Sequence, residues 1–188
     1  GSTAVGQTLL AGAAPGIKRV LLELGGNAPV IVTEDAPVDR IVGSVVRARF
    51  ANAGQACVAA NRVYVHEDVA DRFLERFAGE VGSLRVGDPW DAATDIGPLI
   101  DLRAVERIED QISRAVDAGA TLAAGGRRTG ATATSAFLQP GILTVEGGGA
   151  EVLREEFFGP VASVIVTKDD DEAVRLANDS RYGLSAYV

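Results

Sequence analysis

Apolar residues recur along the chain with two different spacings, and the alternation of these spacings predicts strands and helices in turn. Runs of consecutive aliphatic or aromatic residues, typical of buried strands, lie at 20–24, 29–33, 62–66 and 161–166. Segments whose apolar positions suit one face of a helix lie at 38–50, 68–84, 101–118 and 170–177. Shorter extended segments are predicted at 121–124, 137–138 and 142–145.

This β-α-β alternation predicts an α/β fold with a mostly parallel sheet flanked by helices and right-handed crossovers. Active residues of such sheets usually lie at the carboxyl ends of the strands, where we expect them here. The chain begins at Gly1 without a preceding strand and stops within a strand-like run at 184–188. We therefore expect one domain over residues 1–188 that is truncated at both ends.

Composition and charge narrow the class of function. The 188 residues, 47% hydrophobic and 23% charged, fit one globular domain. A net charge of -8 gives no attraction to nucleic acid or to an anionic membrane. No run approaches the roughly 18 apolar residues of a membrane span, and the first residues carry no signal segment. These features predict a cytoplasmic protein with small-molecule partners and no nucleic-acid or membrane partner.

The chain has a single cysteine and a single histidine, so neither a disulfide nor a metal site is predicted. Cys57 lies between a predicted helix and a predicted strand, in a connecting loop where functional residues are common. Most lone cysteines are instead inert members of a core. His66 is predicted to be a surface residue at a strand end, which disfavours a Cys–His catalytic pair.

Glu23 lies between two leucines in a segment that is otherwise predicted to be buried. A buried carboxylate costs several kcal/mol unless it is paired or protonated. Glu23 therefore either pairs with Lys18 or Arg19, faces solvent at a strand end, or acts as a general base whose pKa is raised by apolar surroundings. Gly25 and Gly26, which follow, would let backbone or ligand approach closely.

A glutamate base and a cysteine nucleophile together favour chemistry that passes through a thioester. Three motifs then carry a resemblance to a known family. They are Leu-Glu-Leu-Gly-Gly-Asn at 22–27, Gly-Gln-Ala-Cys at 54–57 and Glu-Glu-Phe-Phe-Gly-Pro-Val at 155–161. In order and spacing these resemble the NAD(P)-dependent aldehyde dehydrogenases, and the segments at 1–6 and 178–184 resemble that family too. The resemblance implies the family's catalytic domain over the whole chain.

The resemblance implies a role for each matched residue. Cys57 attacks the aldehyde carbon, the thiohemiacetal gives a hydride to NAD or NADP, and Glu23 activates the water that hydrolyses the thioester. The backbone N–H of Cys57 forms half of the oxyanion hole, and no metal takes part. Glu156 holds the nicotinamide ribose hydroxyls and Phe158 packs beside the ring. The cofactor-binding residues implied are Gly1, Ser2, Leu24, Gly25, Glu156 and Phe158.

Two of these assignments have alternatives from the residues themselves. Gly1-Ser2 resembles the start of a helix beneath the cofactor pyrophosphate, but Gly-Ser is also a common tag remnant. Glu155-Glu156 alone would be a solvated acidic pair, and the Phe-Phe-Gly-Pro that follows favours the cofactor role.

Asn27 and the Asn61-Arg62 pair make the chain most like the succinate-semialdehyde branch of the family. That branch carries an arginine six residues before its nucleophile, which pairs with the substrate carboxylate, and this chain has Ala51 there. Loss of a guanidinium removes a bidentate contact. The sequence therefore leaves the identity of the aldehyde open, as it does the choice between NAD and NADP.

The family's cofactor-binding region and its C-terminal oligomerisation segment are expected to lie outside residues 1–188. The intact enzyme is expected to be a dimer or tetramer, whereas the 188 residues alone are expected to turn over slowly or not at all. One alternative is a catalytically incomplete fragment that acts only as a folding or assembly unit. Another is thioester hydrolysis by Cys57 without hydride transfer.

Overall fold

The computed structural model describes residues 1–130, 135–145 and 151–188 of the chain. Within these residues the helices are α1 (Thr3–Ala13), α2 (Val38–Phe50), α3 (Glu67–Ser83), α4 (Leu102–Asp117) and α5 (Asp170–Asn178). The strands are β1 (Ala28–Val32), β2 (Ala60–His66), β3 (Thr121–Ala124), β4 (Arg128–Thr129), β5 (Phe137–Leu138), β6 (Gly141–Val145) and β7 (Val161–Thr167). Short 3₁₀ turns lie at Ala14–Gly16, Ala51–Gly54 and Glu151–Arg154.

The main sheet has the strand order β1-β2-β7-β6-β3. The three pairs that involve β1, β2, β7 and β6 are parallel, and β3 pairs with β6 in the antiparallel sense. Strands β4 and β5 form a separate antiparallel pair. Tyr187 continues the sheet beyond β1, because it accepts from the Ile31 N–H at 2.9 Å and donates to the Pro29 carbonyl at 3.0 Å. The mainly parallel α/β fold expected from the sequence is confirmed.

Helices cover both faces of the sheet because side chains alternate along each strand. Arg62 and Tyr64 of β2 hydrogen-bond to the Leu176 carbonyl near the end of α5. The intervening Val63 points to the opposite face, where α2 and α3 pack together. There the rings of Phe73 and Phe77 stack with centroids 5.3 Å apart. This arrangement fixes the sheet rigidly between two helical layers.

The strand predicted at 20–24 is wrong. These residues have no regular secondary structure, and Leu21 is 90% exposed. A run of aliphatic residues becomes a strand only where another strand meets its backbone, and among the described residues it is the Gly1 nitrogen that meets this segment, donating to the Glu23 carbonyl at 2.8 Å. The neighbouring edge of β1 is instead met by Tyr187.

Candidate active site

Three sequence motifs meet at one edge of the sheet. The segment 22–27 leads into β1, 54–57 leads into β2, and 155–160 leads into β7. These three strands are neighbours and run parallel, so their amino ends lie side by side. The candidate motifs thus lie at the amino ends of these strands and not at the carboxyl ends expected from the sequence, because a hydrophobic pattern locates a strand without indicating which of its ends carries the functional loops.

The loop before Cys57 has an unusual backbone. Helix α2 ends at Phe50, and the turn that follows places Asn52, Ala53 and Gly54 at φ values of 53°, 54° and 71°. Glycine adopts this left-handed region freely and asparagine tolerates it, but an alanine there costs roughly 1–2 kcal/mol. Such strain persists only where surrounding contacts hold it, and it is common at functional sites.

Gln55 supplies several of those contacts. Its Oε1 accepts from the Ile100 N–H at 2.9 Å, and its Nε2 donates to the Asn52 carbonyl at 3.2 Å. The Ala59 N–H donates to the Ala56 carbonyl at 3.0 Å, so Cys57 lies in a tight turn. The cysteine is partly buried and its thiol is free, which confirms the predicted connecting loop and excludes a fully buried core position.

Two glycines bring the three motifs into contact. A Cβ on Gly26 would lie 2.1 Å from the Cys57 carbonyl oxygen, and a Cβ on Gly25 would lie 2.4 Å from Oε2 of Glu156. Position 26 requires glycine because the close neighbour is backbone, whereas a side chain at position 25 would displace the Glu156 carboxylate. The close approach predicted at this pair is confirmed, and it joins the cysteine loop to the carboxylate of the third motif.

Glu156 lies over this glycine pair. Its Oε1 accepts from the Gly26 N–H at 3.1 Å. Burial raises the pKa of Glu156, an effect that the Gly26 N–H and the charge of Arg49 partly offset. The two aromatic residues that follow point to different environments, since Phe157 is buried in the core and Phe158 is partly exposed. The partly exposed ring and carboxylate are thus on the same short loop.

Glu155 and Glu156 are not an equivalent acidic pair. The Arg114 guanidinium donates two hydrogen bonds of 2.9 Å to the two carboxylate oxygens of Glu155. This bidentate ion pair lowers the pKa of Glu155. Gln111 donates to Glu155 at 3.2 Å and to the Glu156 carbonyl at 3.1 Å. Helix α4 therefore holds this loop, and a cavity of about 1100 Å³ beside it is lined by both glutamates and by Tyr182.

Glu23 lies in the exposed segment before the glycine pair. The predicted burial of its carboxylate is wrong for this structure, and of the alternatives the solvent-facing one is observed. Its α-carbon is at most about 11 Å from that of Gly26, since three peptide units join them. Because Gly26 contacts the backbone of Cys57, Glu23 and Cys57 belong to the same edge of the molecule.

Gly1 and Ser2 lie beside the same segment. The Gly1 amine bonds to the Glu23 carbonyl, and a Cβ on Gly1 would lie 3.4 Å from the Leu24 side chain. Ser2 caps α1, its Oγ accepting from the Val5 N–H at 3.3 Å. The predicted helix start is therefore present, and it borders the backbone of residues 23–24.

His66 lies at the far end of β2 from Cys57. A strand of seven residues at about 3.3 Å per residue separates them by roughly 20 Å, so the two do not form a catalytic pair. The prediction that His66 is a surface residue is wrong. It is 9% exposed, because its Nδ1 accepts from the Asp68 N–H at 3.2 Å and caps α3.

Arg49 is a residue at this site that the sequence analysis did not single out. It is completely buried in α2, one turn before the cysteine loop. The sequence does contain a signal for it. Val42, Val45 and Val46 form an apolar stripe of i, i+3 and i+4 positions, and Arg49 continues that stripe at i+7. A charge on the buried face of a helix is costly and calls for a specific reason.

The fold and the edge together define a class: an α/β domain in which a partly buried free cysteine, a glycine turn and a partly buried carboxylate meet at one edge of the sheet. The family model that matches this chain is "Aldehyde dehydrogenase family", over residues 1–188. The chain therefore belongs to the aldehyde dehydrogenase family.

Curated relatives agree with this membership. The chain is 46% identical over 187 residues to a probable succinate-semialdehyde dehydrogenase [NADP(+)] of Sinorhizobium fredii, and 44% identical over 187 residues to the Escherichia coli succinate-semialdehyde dehydrogenase [NADP(+)]. In each case the match covers 100% of this chain but 38% of the relative. The chain thus spans little more than a third of the length of these relatives.

Solved structures share the fold. An aldehyde dehydrogenase from Brucella melitensis biovar abortus superposes with a TM-score of 0.91 at 43% identity, over 99% of this chain and 38% of that one. Lactaldehyde dehydrogenase from Escherichia coli gives a TM-score of 0.93 at 37% identity, over 100% of this chain and 39% of that one. Among the described residues, none of the helices has the length and apolar character needed to cross a bilayer.

Proposed function

We propose that the protein containing this chain oxidises an aldehyde to a carboxylic acid, with NAD or NADP as the oxidant and Cys57 as the nucleophile. The observation that carries the proposal is the glycine junction, where the Cys57 backbone lies against Gly26 and the Gly26 N–H donates to Glu156. A nucleophile-bearing loop and a carboxylate suited to ribose hydroxyls are thereby both held against one glycine turn. The names of the relatives favour NADP and a semialdehyde substrate.

In the first half-reaction the Cys57 thiolate forms a C–S bond to the aldehyde carbon, and the carbonyl π electrons move to oxygen. The backbone N–H of Cys57 donates to that oxyanion. The oxyanion then re-forms its C=O bond as the carbon releases a hydride, which leaves a thioester on Cys57. The nicotinamide, when bound, supplies the acceptor for this two-electron hydride.

In the second half-reaction water adds to the thioester. Glu23 takes a proton from that water, since its carboxylate reaches solvent at the site edge. The tetrahedral adduct collapses, the C–S bond breaks with its electron pair returning to sulfur, and the carboxylic acid leaves. The cysteine is regenerated as a thiolate, and the proton on Glu23 passes to solvent.

The residues present fit a nicotinamide coenzyme. A Cβ at Gly25 would occupy the space that the Glu156 carboxylate uses, so glycine keeps an acceptor available for ribose hydroxyls. Phe158 offers a partly exposed ring for the nicotinamide. The amino end of α1, which Gly1 precedes and Ser2 caps, suits the pyrophosphate. The Leu24 and Gly25 backbones border the same region.

The test is aldehyde-dependent formation of NADH or NADPH at 340 nm by the full protein, with oligomeric state measured by light scattering on the same preparation. Cys57→Ser is expected to abolish turnover. Glu23→Gln is expected to leave the first burst of NAD(P)H and to slow steady turnover by at least about 10-fold, the lower range for a general base. Full activity in Cys57→Ser would overturn the proposal.

The alternative of a folding or assembly unit is favoured by exposed apolar side chains such as Leu21. Alkylation of Cys57 by iodoacetamide near neutral pH distinguishes the two, because only an activated thiolate reacts faster than a free thiol. Thioester hydrolysis without coenzyme would instead appear as ester cleavage that is lost in Cys57→Ser but needs no NAD(P).

A further inference from the structure

Arg49 is a fully buried cation that no step of the proposed reaction uses. Its Nη2 donates to the Phe157 carbonyl at 2.8 Å and also to the Gly159 carbonyl. Its Nε and Nη1 are buried and have no hydrogen-bond partner among the described residues. Burial lowers the pKa of Arg49 to about 9, so the guanidinium keeps its charge at neutral pH. An incompletely paired buried charge is destabilising and requires an explanation.

The guanidinium lies where two loops of the site meet. The carbonyls that it binds belong to the residues on either side of Phe158. A Cβ on Gly54, in the left-handed turn before Cys57, would lie 2.3 Å from the Gly159 carbonyl oxygen and 2.9 Å from Nη2 of Arg49. The same side chain therefore touches the cysteine loop and the loop that presents the aromatic ring.

Arg49 also interacts electrostatically with Glu156. Glu156 is the charged group recorded as acting on Arg49, and Arg49 in turn favours the ionised form of Glu156. The positive charge of Arg49 thus favours ionisation of the Glu156 carboxylate. The salt bridges of the described residues do not include a direct pair between the two side chains. Arg49 cannot replace the arginine that is absent at position 51, because it is 0% exposed and cannot reach a substrate.

We propose that Arg49 is a positioning residue, which fixes the strained Cys57 turn and the Glu156–Phe158 loop relative to each other, so that the nucleophile and the coenzyme site are set by one buried guanidinium. The inference rests on the proposed function. On this proposal, burying the Arg49 charge costs folding free energy, and the buried charge serves to align the site rather than to stabilise the fold.

The test compares Arg49→Met with Val42→Ala in the full protein. Val42 is 0% exposed on the same helix, two turns before Arg49, so its truncation weakens the fold without touching the site. Two readouts need no turnover: the rate constant for Cys57 alkylation by iodoacetamide, and NADPH binding followed by nucleotide fluorescence. Urea denaturation of each variant reports stability separately.

Arg49→Met is expected to slow alkylation and to weaken NADPH binding by at least about 10-fold each, the effect of losing one charge-assisted hydrogen bond. Val42→Ala is expected to lose stability and to leave both readouts within about twofold. Arg49→Lys keeps the charge but not the planar fork that spans two carbonyls, and its values are expected to fall between those of wild type and Arg49→Met.

The inference is overturned if Arg49→Met and Arg49→Lys match Val42→Ala at equal folded fraction, or if only one of the two readouts moves. Failure of the proposed function looks different. In that case the wild type itself alkylates at the rate of a free thiol and binds no NADPH, and the assignment of Arg49 falls with it.

Discussion

Ala51 lies where the succinate-semialdehyde branch that the sequence resembles is expected to carry an arginine. It is exposed at the start of the 3₁₀ turn, six residues before Cys57. A methyl group there offers no hydrogen bond to a substrate carboxylate. The buried position of Arg49, two residues earlier, means that this neighbouring cation does not compensate. Neither position 51 nor Arg49 therefore offers a cation to a substrate carboxylate.

Ala51→Arg is predicted to improve use of an anionic substrate. A charge-assisted hydrogen bond contributes about 1.5–3 kcal/mol, so kcat/KM for succinate semialdehyde is expected to rise roughly 10-fold or more relative to that for an uncharged aldehyde such as propanal. Steady-state kinetics of the full protein with both substrates measures this ratio.

Ala51→Met is the matched control, because it adds a side chain of comparable length without charge. An equal rise of the ratio in Ala51→Met would show that size alone decides the preference. The electrostatic account would then be wrong, and so would the inference that a missing cation at this position limits the substrate class.

At the scale of single elements, replacing a glycine is expected to destabilise a tight turn and to stabilise a helix. Gly26 lies in a turn where an added Cβ would be 2.1 Å from the Cys57 carbonyl oxygen, whereas Gly79 lies within α3 with nothing within 4 Å. Gly26→Ala must push two loops apart, at a cost of about 1–3 kcal/mol of unfolding free energy. Gly79→Ala should instead raise the unfolding free energy by roughly 0.5–1 kcal/mol.

Urea denaturation of the two variants measures these changes, and iodoacetamide alkylation measures their effect on Cys57. Gly26→Ala is expected to slow alkylation, because it displaces the cysteine backbone, while Gly79→Ala should leave it unchanged. Wild-type stability and reactivity in Gly26→Ala would mean that the glycine junction is not needed to hold the site.

The elements that the sequence predicted correctly are those whose apolar pattern has its partner within the chain. Helix α4 is one, with Val105, Ile108 and Ile112 all buried as their spacing required. The segment 20–24 has an equally strong apolar pattern, but among the described residues it has no strand beside it. The pattern therefore predicted a strand where the backbone is irregular. Contacts between distant segments, such as Arg49 with the carbonyls around Phe158, depend on which strands become neighbours, and no local pattern encodes that.

For the candidate site too, local motifs could be predicted from the sequence and contacts between distant segments could not. The motifs around Cys57 and Glu156 were recognisable because each is a short contiguous run. Their meeting at the amino edge of the sheet follows from the order β1-β2-β7, which the sequence alone left open. The sequence left the exposure of Glu23 as one of several alternatives, since the surroundings of that segment could be inferred only from its composition.

At the scale of the whole molecule, several apolar side chains near the start of the chain are exposed to solvent. Val5 and Leu9 are 50% and 54% exposed on α1, and Leu21 is 90% exposed in the segment that follows. Helix α1 packs on that segment through Gly6, whose added Cβ would lie 2.6 Å from the Leu24 side chain. We call the exposed Val5, Leu9 and Leu21 side chains of these two packed segments the apolar N-terminal surface. Clusters of this kind favour association, whereas single exposed residues do not.

We predict that the 188 residues expressed alone bind the dye ANS and self-associate, and that Leu21→Ser reduces both because it removes the most exposed member of the apolar N-terminal surface. Size-exclusion chromatography with light scattering and ANS fluorescence measure the two effects. Trp90 is 94% exposed in a loop before α4, so Trp90→Ser is the control for loss of any exposed apolar side chain. An equal decrease in Trp90→Ser would contradict a localised surface, because association would then depend on total apolar exposure rather than on the segment beside α1.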